Sequence, residues 1–281
     1  MKIGITGATG QLGQLVVEKL KLKTAADGLV ALVRNPEKAA QFGVETRAFD
    51  YSKPEGQVDA LKGIDVLLLI SGSEVGQRAT QHHNVIKAAK EAGVKRIVYT
   101  SILHAATSKM ALAAEHVATE KELENSGIPY TILRNGWYTE NYAASIAGSL
   151  QAGAVIGSAD EGKISSATRE DYAEAAAVVL TTQGHDYKIY ELAGDEAYTL
   201  TDFAKEISRQ TTKDIPYKNL SEADYTAALV TVGVPEGFAK ILADSDANAA
   251  NGALYSEEKT LSRLIARPTT PLATVVERFL G

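Results

Sequence analysis

Three glycines recur at every third position near the start of the chain, at 7, 10 and 13. They lie between a short apolar run at 2–6 and a segment whose apolar side chains recur at helical spacing. A glycine-rich turn between a strand and a helix lets a phosphate approach the backbone, and the helix N-terminus adds N–H donors and positive potential. This pattern is typical of the dinucleotide turn of a Rossmann unit, although the spacing is GxxGxxG rather than GxGxxG. The predicted contacts are Gly7, Ala8, Thr9, Gly10, Gln11, Leu12 and Gly13.

Each glycine of this turn has a separate expected role. Gly7 permits the sharp turn after the strand, and Gly10 leaves room for a pyrophosphate beside the backbone. Gly13 lets the helix pack closely against the strand. A side chain at Gly10 is therefore expected to compete with the phosphates for space.

An arginine follows the second predicted strand, about twenty residues after the last glycine of the turn. An NAD site usually has Asp or Glu near this position to bind the ribose, whereas Arg34 would pair with a 2′-phosphate. The turn 33–36 contains no carboxylate, and Glu37 is expected to begin a helix after Pro36. We predict a preference for NADP over NAD, with a solvated surface arginine as the alternative.

Three other polar residues follow strands or lie on the helix after one. Asp50 closes the third predicted strand, where it either contacts the adenine side of the nucleotide or caps a turn. His82 and His83 lie on the helix after the fourth strand, with no carboxylate at metal-ligand spacing. We interpret both histidines as surface or packing residues and predict no metal site.

The elements that must position these residues alternate between strand and helix over the first half of the chain. Apolar runs predict strands at 2–6, 29–33, 44–49, 66–70, 96–100 and 130–133. The run at 66–70 is nearly all apolar, as expected of a parallel strand covered on both faces. Helices are predicted between the strands, among them 77–92 and 111–125. We therefore predict an α/β protein with a Rossmann doubly wound parallel sheet.

The alternation becomes less regular after Leu133, and the predicted elements beyond Gly194 are mainly helical. Later elements are predicted at 172–181, 190–192, 201–210, 222–232, 235–244 and 271–280. We predict that residues 1–150 form an NADP-binding Rossmann domain, to which 165–193 return. Residues 194–281 are predicted to form a smaller, mainly helical C-terminal domain on the substrate side.

Composition excludes several classes of function. The chain has 281 residues, no cysteine and a net charge of −6. The lack of cysteine excludes disulfides, thiol catalysis and thiolate metal sites, and the acidic charge disfavours nucleic acid and membrane surfaces as partners. No apolar run is long enough to span a bilayer, and the chain enters a strand at once. We expect no membrane insertion, no signal peptide and a cytoplasmic location.

Four segments together resemble the NmrA-like atypical short-chain dehydrogenases/reductases. They are the glycine turn, 34–36, 73–78 and 126–138, and the block at 134–141 is far more specific than the glycine turn. Within that group the chain is most similar to the bacterial NADPH-dependent quinone oxidoreductases related to triphenylmethane reductase. The likeness extends nearly end to end, and it implies hydride transfer from NADPH to a quinone with no flavin and no metal.

The resemblance also implies where the ligands bind. It places the substrate between the sheet and the small domain, and it places cofactor contacts after strands one, two, four and six. Besides the glycine turn and Arg34, these contacts fall on Ser71, Gly72, Ser73, Asn135, Gly136, Trp137, Tyr138 and Asn141. All four stretches lie outside the carboxyl ends of strands, where ligands of open α/β sheets bind.

The tyrosine of the standard short-chain dehydrogenase mechanism is replaced in this sequence. That mechanism uses Tyr-x-x-x-Lys, but here Val117 stands four residues before Lys121. Counting back from Gly127 places His116 where reductases of the isoflavone type carry a catalytic lysine. His116 would then donate a proton or bind a substrate oxygen. The alternative is a helix histidine bonded to the backbone or to Glu120.

A quinone is an electron-poor acceptor, so positioning it against the nicotinamide would supply most of the catalysis. Trp137 and Tyr138 are candidates for one wall of the quinone pocket, with a place in the core as the alternative for Trp137.

A regulatory protein of the NmrA type that senses NADP(H) without turnover is an alternative function. So is a reductase of another conjugated acceptor, such as a dye or an azo compound. Dimers are common among enzymes of this size, so a homodimer is a further expectation.

Overall fold

The computed structural model describes residues 1–281, which form two sheets and twelve α-helices. The strands are β1 (Ile3–Thr6), β2 (Leu29–Val33), β3 (Glu45–Ala48), β4 (Val66–Leu69), β5 (Arg96–Ile102), β6 (Tyr130–Asn135), β7 (Val155–Gly157), β8 (Lys188–Leu192) and β9 (Tyr217–Asn219). The helices are α1 (Gln11–Lys21), α2 (Gln57–Leu61), α3 (Arg78–Glu91), α4 (Ala113–Ser126), α5 (Thr139–Ala143), α6 (Ile146–Ala152), α7 (Arg169–Thr181), α8 (Leu200–Thr211), α9 (Glu222–Thr231), α10 (Glu236–Ala249), α11 (Thr260–Ile265) and α12 (Leu272–Leu280). No helix combines the length and the apolar character needed to cross a bilayer.

The main sheet has seven strands in the order β3-β2-β1-β4-β5-β6-β8. β1 pairs in parallel with both neighbours, so that Ile3 lies opposite Leu29 on one side and Val66 on the other. Every residue of β1, β2 and β4 is buried, as expected of central parallel strands covered on both faces. The strand order reverses between β1 and β4, and such a switch point opens the crevice in which open α/β sheets bind ligands. The predicted doubly wound sheet is confirmed.

The first of two compact units contains residues 1–105, 114–135 and 169–191. The returning segment 169–191 supplies α7, which packs against α1. Lys19 of α1 donates a hydrogen bond to Glu170 of α7 over 2.8 Å, which fixes the two helices at their solvent edge. The functional division predicted for residues 1–150 and 194–281 stays a prediction.

The second unit contains residues 106–113, 136–168 and 192–281. Its two strands, β7 and β9, pair in parallel with Val155 opposite Tyr217. A capping box begins α8, because Thr199 and Asp202 each accept a hydrogen bond from the other residue's backbone N–H. α9 and α10 pack against each other, and the unit is mainly helical, as predicted.

A buried carboxylate connects distant segments of the second unit. Asp246 of α10 accepts hydrogen bonds from the Tyr142 hydroxyl over 2.8 Å and from the Ser158 N–H over 3.1 Å. Its side chain is only 2% exposed. Burial raises the pKa of Asp246 to about 6, because loss of solvent outweighs the two hydrogen bonds that favour the ionised form.

This raised pKa makes the stability of the folded chain depend on pH. A carboxyl whose pKa is higher in the folded state contributes stability below its unfolded pKa of 3.8 and loses that contribution as pH rises through about 6. The free energy of unfolding of Asp246→Asn should therefore rise relative to that of wild type between pH 4 and 7, by on the order of a few kcal/mol, as measured by thermal or urea unfolding across this pH range. Asp244→Asn on the same helix is the control, and a pH-independent difference between Asp246→Asn and wild type would contradict the expectation.

Candidate nucleotide-binding site

The glycine turn connects β1 to α1 with the geometry of a phosphate cradle. Gly7 has a left-handed backbone with φ of +59°, and its carbonyl accepts a hydrogen bond from the Gly10 N–H over 2.8 Å. Gln14 donates the first hydrogen bond of α1, to the carbonyl of Gly10. The N–H groups of residues 11–13 therefore project from the helix N-terminus, where they and the helix dipole favour an anion.

Gly13 cannot carry a side chain in this turn, whereas a side chain at Gly10 would make one tight contact and otherwise extend into solvent. A Cβ built on Gly13 would lie 2.3 Å from the Gly7 carbonyl oxygen and 2.8 Å from Ala8 Cα. A Cβ on Gly10 would meet only the Gly7 carbonyl oxygen, at 3.2 Å. The close contact at Gly13 sets the approach of helix to turn, and the exposed surface at Gly10 has room for a ligand.

Arg34 follows β2 and extends into solvent, with 75% of its side chain exposed. Its nearest charged partner is Glu74, whose Oε1 lies 3.7 Å from Nη1. Glu74 also accepts a hydrogen bond from Gln81 over 2.8 Å. A guanidinium with a single loose, exposed partner is available to an incoming phosphate.

Asp50 follows β3 and caps a turn. Its Oδ1 accepts a hydrogen bond from the Ser52 N–H over 2.9 Å, and its backbone carbonyl accepts one from Gln57. Lys53 lies 3.9 Å from the other carboxylate oxygen. These contacts account for Asp50 locally, and the predicted contact with adenine stays a prediction.

The loop after β4 is held by side chains from three different elements. The successive N–H groups of residues 70, 71 and 72 donate to Thr6 Oγ1, Thr100 Oγ1 and His82 Nε2 over 3.0, 2.9 and 2.9 Å. Because these donors are occupied, a nucleotide at Ser71, Gly72 and Ser73 would meet the two serine side chains rather than those N–H groups.

Asn135 ends β6 with a buried amide oxygen. The side chain is 5% exposed, and its Oδ1 has no hydrogen-bond partner within the protein. A buried acceptor without a donor is costly, so this atom fits a donor supplied by a ligand. The other residues of the predicted block, Gly136, Trp137, Tyr138 and Asn141, belong to the second unit. Trp137 is buried there, whereas Tyr138 and Asn141 are partly exposed.

His116 lies on α4, buried to 5% exposure, and its Nδ1 is 2.7 Å from the hydroxyl oxygen of Tyr99. That partner differs from the backbone or Glu120 contact that the sequence suggested. Burial lowers the pKa of His116 well below its ordinary value, and the positive charge of Arg78 lowers it further. The imidazole is therefore neutral at physiological pH.

A partly buried ion cluster that the sequence did not reveal joins β6, α4 and β8. Arg134 donates to both carboxylate oxygens of Glu120, over 3.0 and 2.6 Å, and to Glu191 over 2.8 Å. Ser101 also donates to Glu120, over 2.5 Å. This cluster fixes the carboxyl ends of β5, β6 and β8 relative to one another. Its only signal in the sequence is a set of charges beside apolar strands, and that signal does not indicate which charges pair.

The residues of the first unit fit a dinucleotide with a 2′-phosphate. The turn supplies an anion cradle with an exposed backbone at Gly10, Arg34 supplies an available cation, and Asn135 supplies a buried acceptor. Binding by these particular residues stays a prediction, as does the catalytic role of His116.

Comparison with known proteins gives a family and near relatives. Residues 7–183 match the model of an NAD(P)H-binding family. The chain is 57% identical to quinone oxidoreductase 2 of Escherichia coli (strain K12), over 99% of each chain.

Two solved structures are similar over nearly their whole length. One is the NADPH-dependent quinone oxidoreductase QOR2 of Escherichia coli in complex with NADPH, with a TM-score of 0.97, 56% identity, and coverage of 99% of this chain and 100% of that chain. The other is the triphenylmethane reductase of Citrobacter sp. in complex with NADP(H), with a TM-score of 0.95, 38% identity and the same coverage.

Proposed function

This chain belongs to the NmrA-like NAD(P)H-binding family, and from that premise we propose that it is an NADPH-dependent oxidoreductase that reduces a quinone to the quinol. The observation that carries the proposal is the 57% identity to a quinone oxidoreductase over 99% of both chains. The geometry of the glycine turn supports the same function. Reductases of other conjugated acceptors share this fold, since the triphenylmethane reductase of Citrobacter sp. is 38% identical.

NADPH, when bound, supplies the hydride. The residues of the chain bind and orient the two reactants. The N-terminus of α1 would hold the pyrophosphate, Arg34 would pair with the 2′-phosphate, and Asn135 would accept a hydrogen bond at the carboxyl end of β6. The partly exposed Tyr138 would contact the quinone ring, whereas the burial of Trp137 fits its alternative place in the core. Catalysis then depends chiefly on holding the ring in place.

His116 has a small role in this mechanism, because a neutral, buried imidazole bonded to Tyr99 is a poor proton donor. His116→Ala should lower kcat by roughly tenfold or less, since a positioned general acid is typically worth about 10²–10⁴-fold. Steady-state rates with saturating NADPH and a water-soluble quinone measure this effect.

His116→Asn is the matched control, because its amide oxygen reaches the place of Nδ1 and keeps a partner for the Tyr99 hydroxyl. A loss of kcat of about a thousandfold or more in both variants would make His116 the general acid. A loss in His116→Ala alone would assign the effect to the buried Tyr99 hydroxyl.

The proposal is tested by mixing the purified protein with NADPH and a panel of quinones and following the NADPH absorbance band. Enzyme-dependent loss of NADPH with at least one quinone is expected. A protein that binds NADPH and NADP⁺ but consumes neither with any quinone would instead be a sensor of the NmrA type.

The assembly and location of the protein are further parts of the proposal. A homodimer agrees with the usual symmetry of enzymes of this size, and light scattering on the purified chain measures it. A cytoplasmic location is tested by fractionating cells that express the full chain.

A further inference from the structure

One face of α3 binds both polar groups of the Gly72 backbone. Arg78 and His82 lie one turn apart on that face. Arg78 Nε donates to the Gly72 carbonyl over 2.8 Å, and His82 Nε2 accepts from the Gly72 N–H over 2.9 Å. We call these two side chains the Gly72 clamp. Both are buried, with Arg78 at 5% and His82 at 0% exposure.

The hydrogen bonds around His82 determine its tautomer. The Gly72 N–H can donate only to an unprotonated nitrogen, so Nε2 is the acceptor and the proton of the neutral ring is on Nδ1. Nδ1 lies 2.9 Å from Thr119 Oγ1, whose own proton goes to the Glu115 carbonyl over 2.9 Å. Thr119 is therefore left with a lone pair for the Nδ1 proton. From Gly72 through His82 to α4, each hydrogen-bond donor therefore has an acceptor.

The charge state of His82 agrees with that tautomer. Burial, together with the nearby positive charge of Arg78, lowers the pKa of His82 to about 3. The ring therefore stays neutral, and Nε2 stays an acceptor, throughout the physiological range. The start of α3 is also anchored to α4, because Glu115 accepts hydrogen bonds from the backbone N–H groups of Gly76 and Arg78, each over 3.1 Å.

We infer that His82 is a positioning residue, which, together with Arg78, sets the place of the loop Ser71–Gly72–Ser73 at the nucleotide site. The inference rests on the proposed function, which makes this loop a cofactor contact. Side chains also lie close to Gly72, since a Cβ built there would lie 3.0 Å from Gln81 Oε1 and 3.5 Å from Tyr51 Cδ2. Loss of the His82 acceptor would leave a buried N–H unsatisfied and allow the loop to move.

Two conservative variants separate positioning from packing. His82→Gln carries an amide oxygen as far from Cβ as Nε2, so it keeps an acceptor for Gly72. His82→Asn carries its oxygen at the place of Nδ1 and cannot reach Gly72. We expect His82→Asn to raise the Kd of NADPH and of NADH by the same factor, roughly tenfold, and His82→Gln to bind both nearly as wild type does. His83→Gln, a change at a neighbouring exposed histidine, is the control.

The hydrogen bond itself is observable by NMR in the nucleotide-free protein labelled with ¹⁵N. A scalar coupling between the Gly72 amide nitrogen and His82 Nε2 is expected in wild type and absent from both variants. Lack of that coupling in wild type would overturn the clamp, and equal nucleotide affinity of His82→Asn and wild type would overturn the positioning role alone. A wild-type protein that shows the coupling but binds neither nucleotide would overturn the proposed function and, with it, the inferred role.

Discussion

A valine in place of Gly10 is expected to abolish nucleotide binding while the protein stays folded. A Cβ at Gly10 would make a single tight contact, with the Gly7 carbonyl oxygen at 3.2 Å. The backbone at Gly10 is extended, with φ of −78°, a conformation that valine adopts, and the Gly7 carbonyl has to shift by only a few tenths of an ångström. Its methyl groups would occupy the space of the pyrophosphate and separate it from the N-terminus of α1. The Kd for NADPH should rise by roughly a hundredfold or more, since several charge-assisted hydrogen bonds are lost together.

Titration of the change in NADPH fluorescence measures this Kd, and circular dichroism reports whether the fold persists. Gly237→Val is the matched control, because Gly237 lies in α10 with nothing within 4 Å of a built Cβ. A folded Gly10→Val protein with the NADPH affinity of wild type would show that the pyrophosphate does not bind at this turn.

Arg34→Ala is expected to weaken NADPH binding by roughly tenfold or more and to leave NADH binding unchanged. The guanidinium is 75% exposed and has one charged neighbour, Glu74, at 3.7 Å. Binding of a 2′-phosphate therefore replaces a loose surface pair with a charge-assisted and potentially bidentate contact. NADH has only a 2′-hydroxyl at this position, so it loses nothing when Arg34 is removed.

Calorimetric titration of both nucleotides into both proteins measures the selectivity. Arg34→Lys is the informative control, since it keeps the charge and removes the planar fork, and it should retain part of the NADPH preference. Raising the salt concentration should weaken NADPH binding to wild type more than to Arg34→Ala. Equal losses of NADPH and NADH affinity would place Arg34 away from the 2′-phosphate.

Much of the Rossmann part of the fold was predictable because its signals are local. The run Val66–Leu69 is apolar throughout because both faces of β4 are covered, and that composition alone predicts a central parallel strand. The glycine spacing predicted the turn for a similar reason, since the close contact between Gly13 and the Gly7 carbonyl permits no side chain. The predicted fold class and family are confirmed.

The small elements were not predictable, because pairing rather than composition forms them. β7 and β9 are three residues each, and they exist because residues 155–157 and 217–219 pair across about sixty positions of sequence. The short helices α5 and α6 have neither a side-chain cap nor enough turns to show a helical period.

The residues of the candidate site likewise divide into those predictable from local sequence and those whose contacts depend on the fold. Arg34 was found from its distance along the chain to the glycine turn, because that distance is set by a βαβ unit. The partners of Arg134, His116 and His82 lie in other elements of the first unit, so no spacing rule connects them. Tyr99, which lies 2.7 Å from His116, is one such partner. These contacts depend on the sheet order, and they become visible only after the fold is known.

The most direct test of the central claim is a single-turnover reaction of excess protein and NADPH with a limiting quinone, followed by absorbance and electron paramagnetic resonance. NADPH deuterated at the transferred position is compared with unlabelled NADPH. We predict one NADPH consumed for each quinol formed, slower turnover with the deuterated form, and no early radical signal, because a nicotinamide donates two electrons as a hydride. NADPH that remains unconsumed, or a one-electron-reduced quinone radical as the first product, would contradict the account.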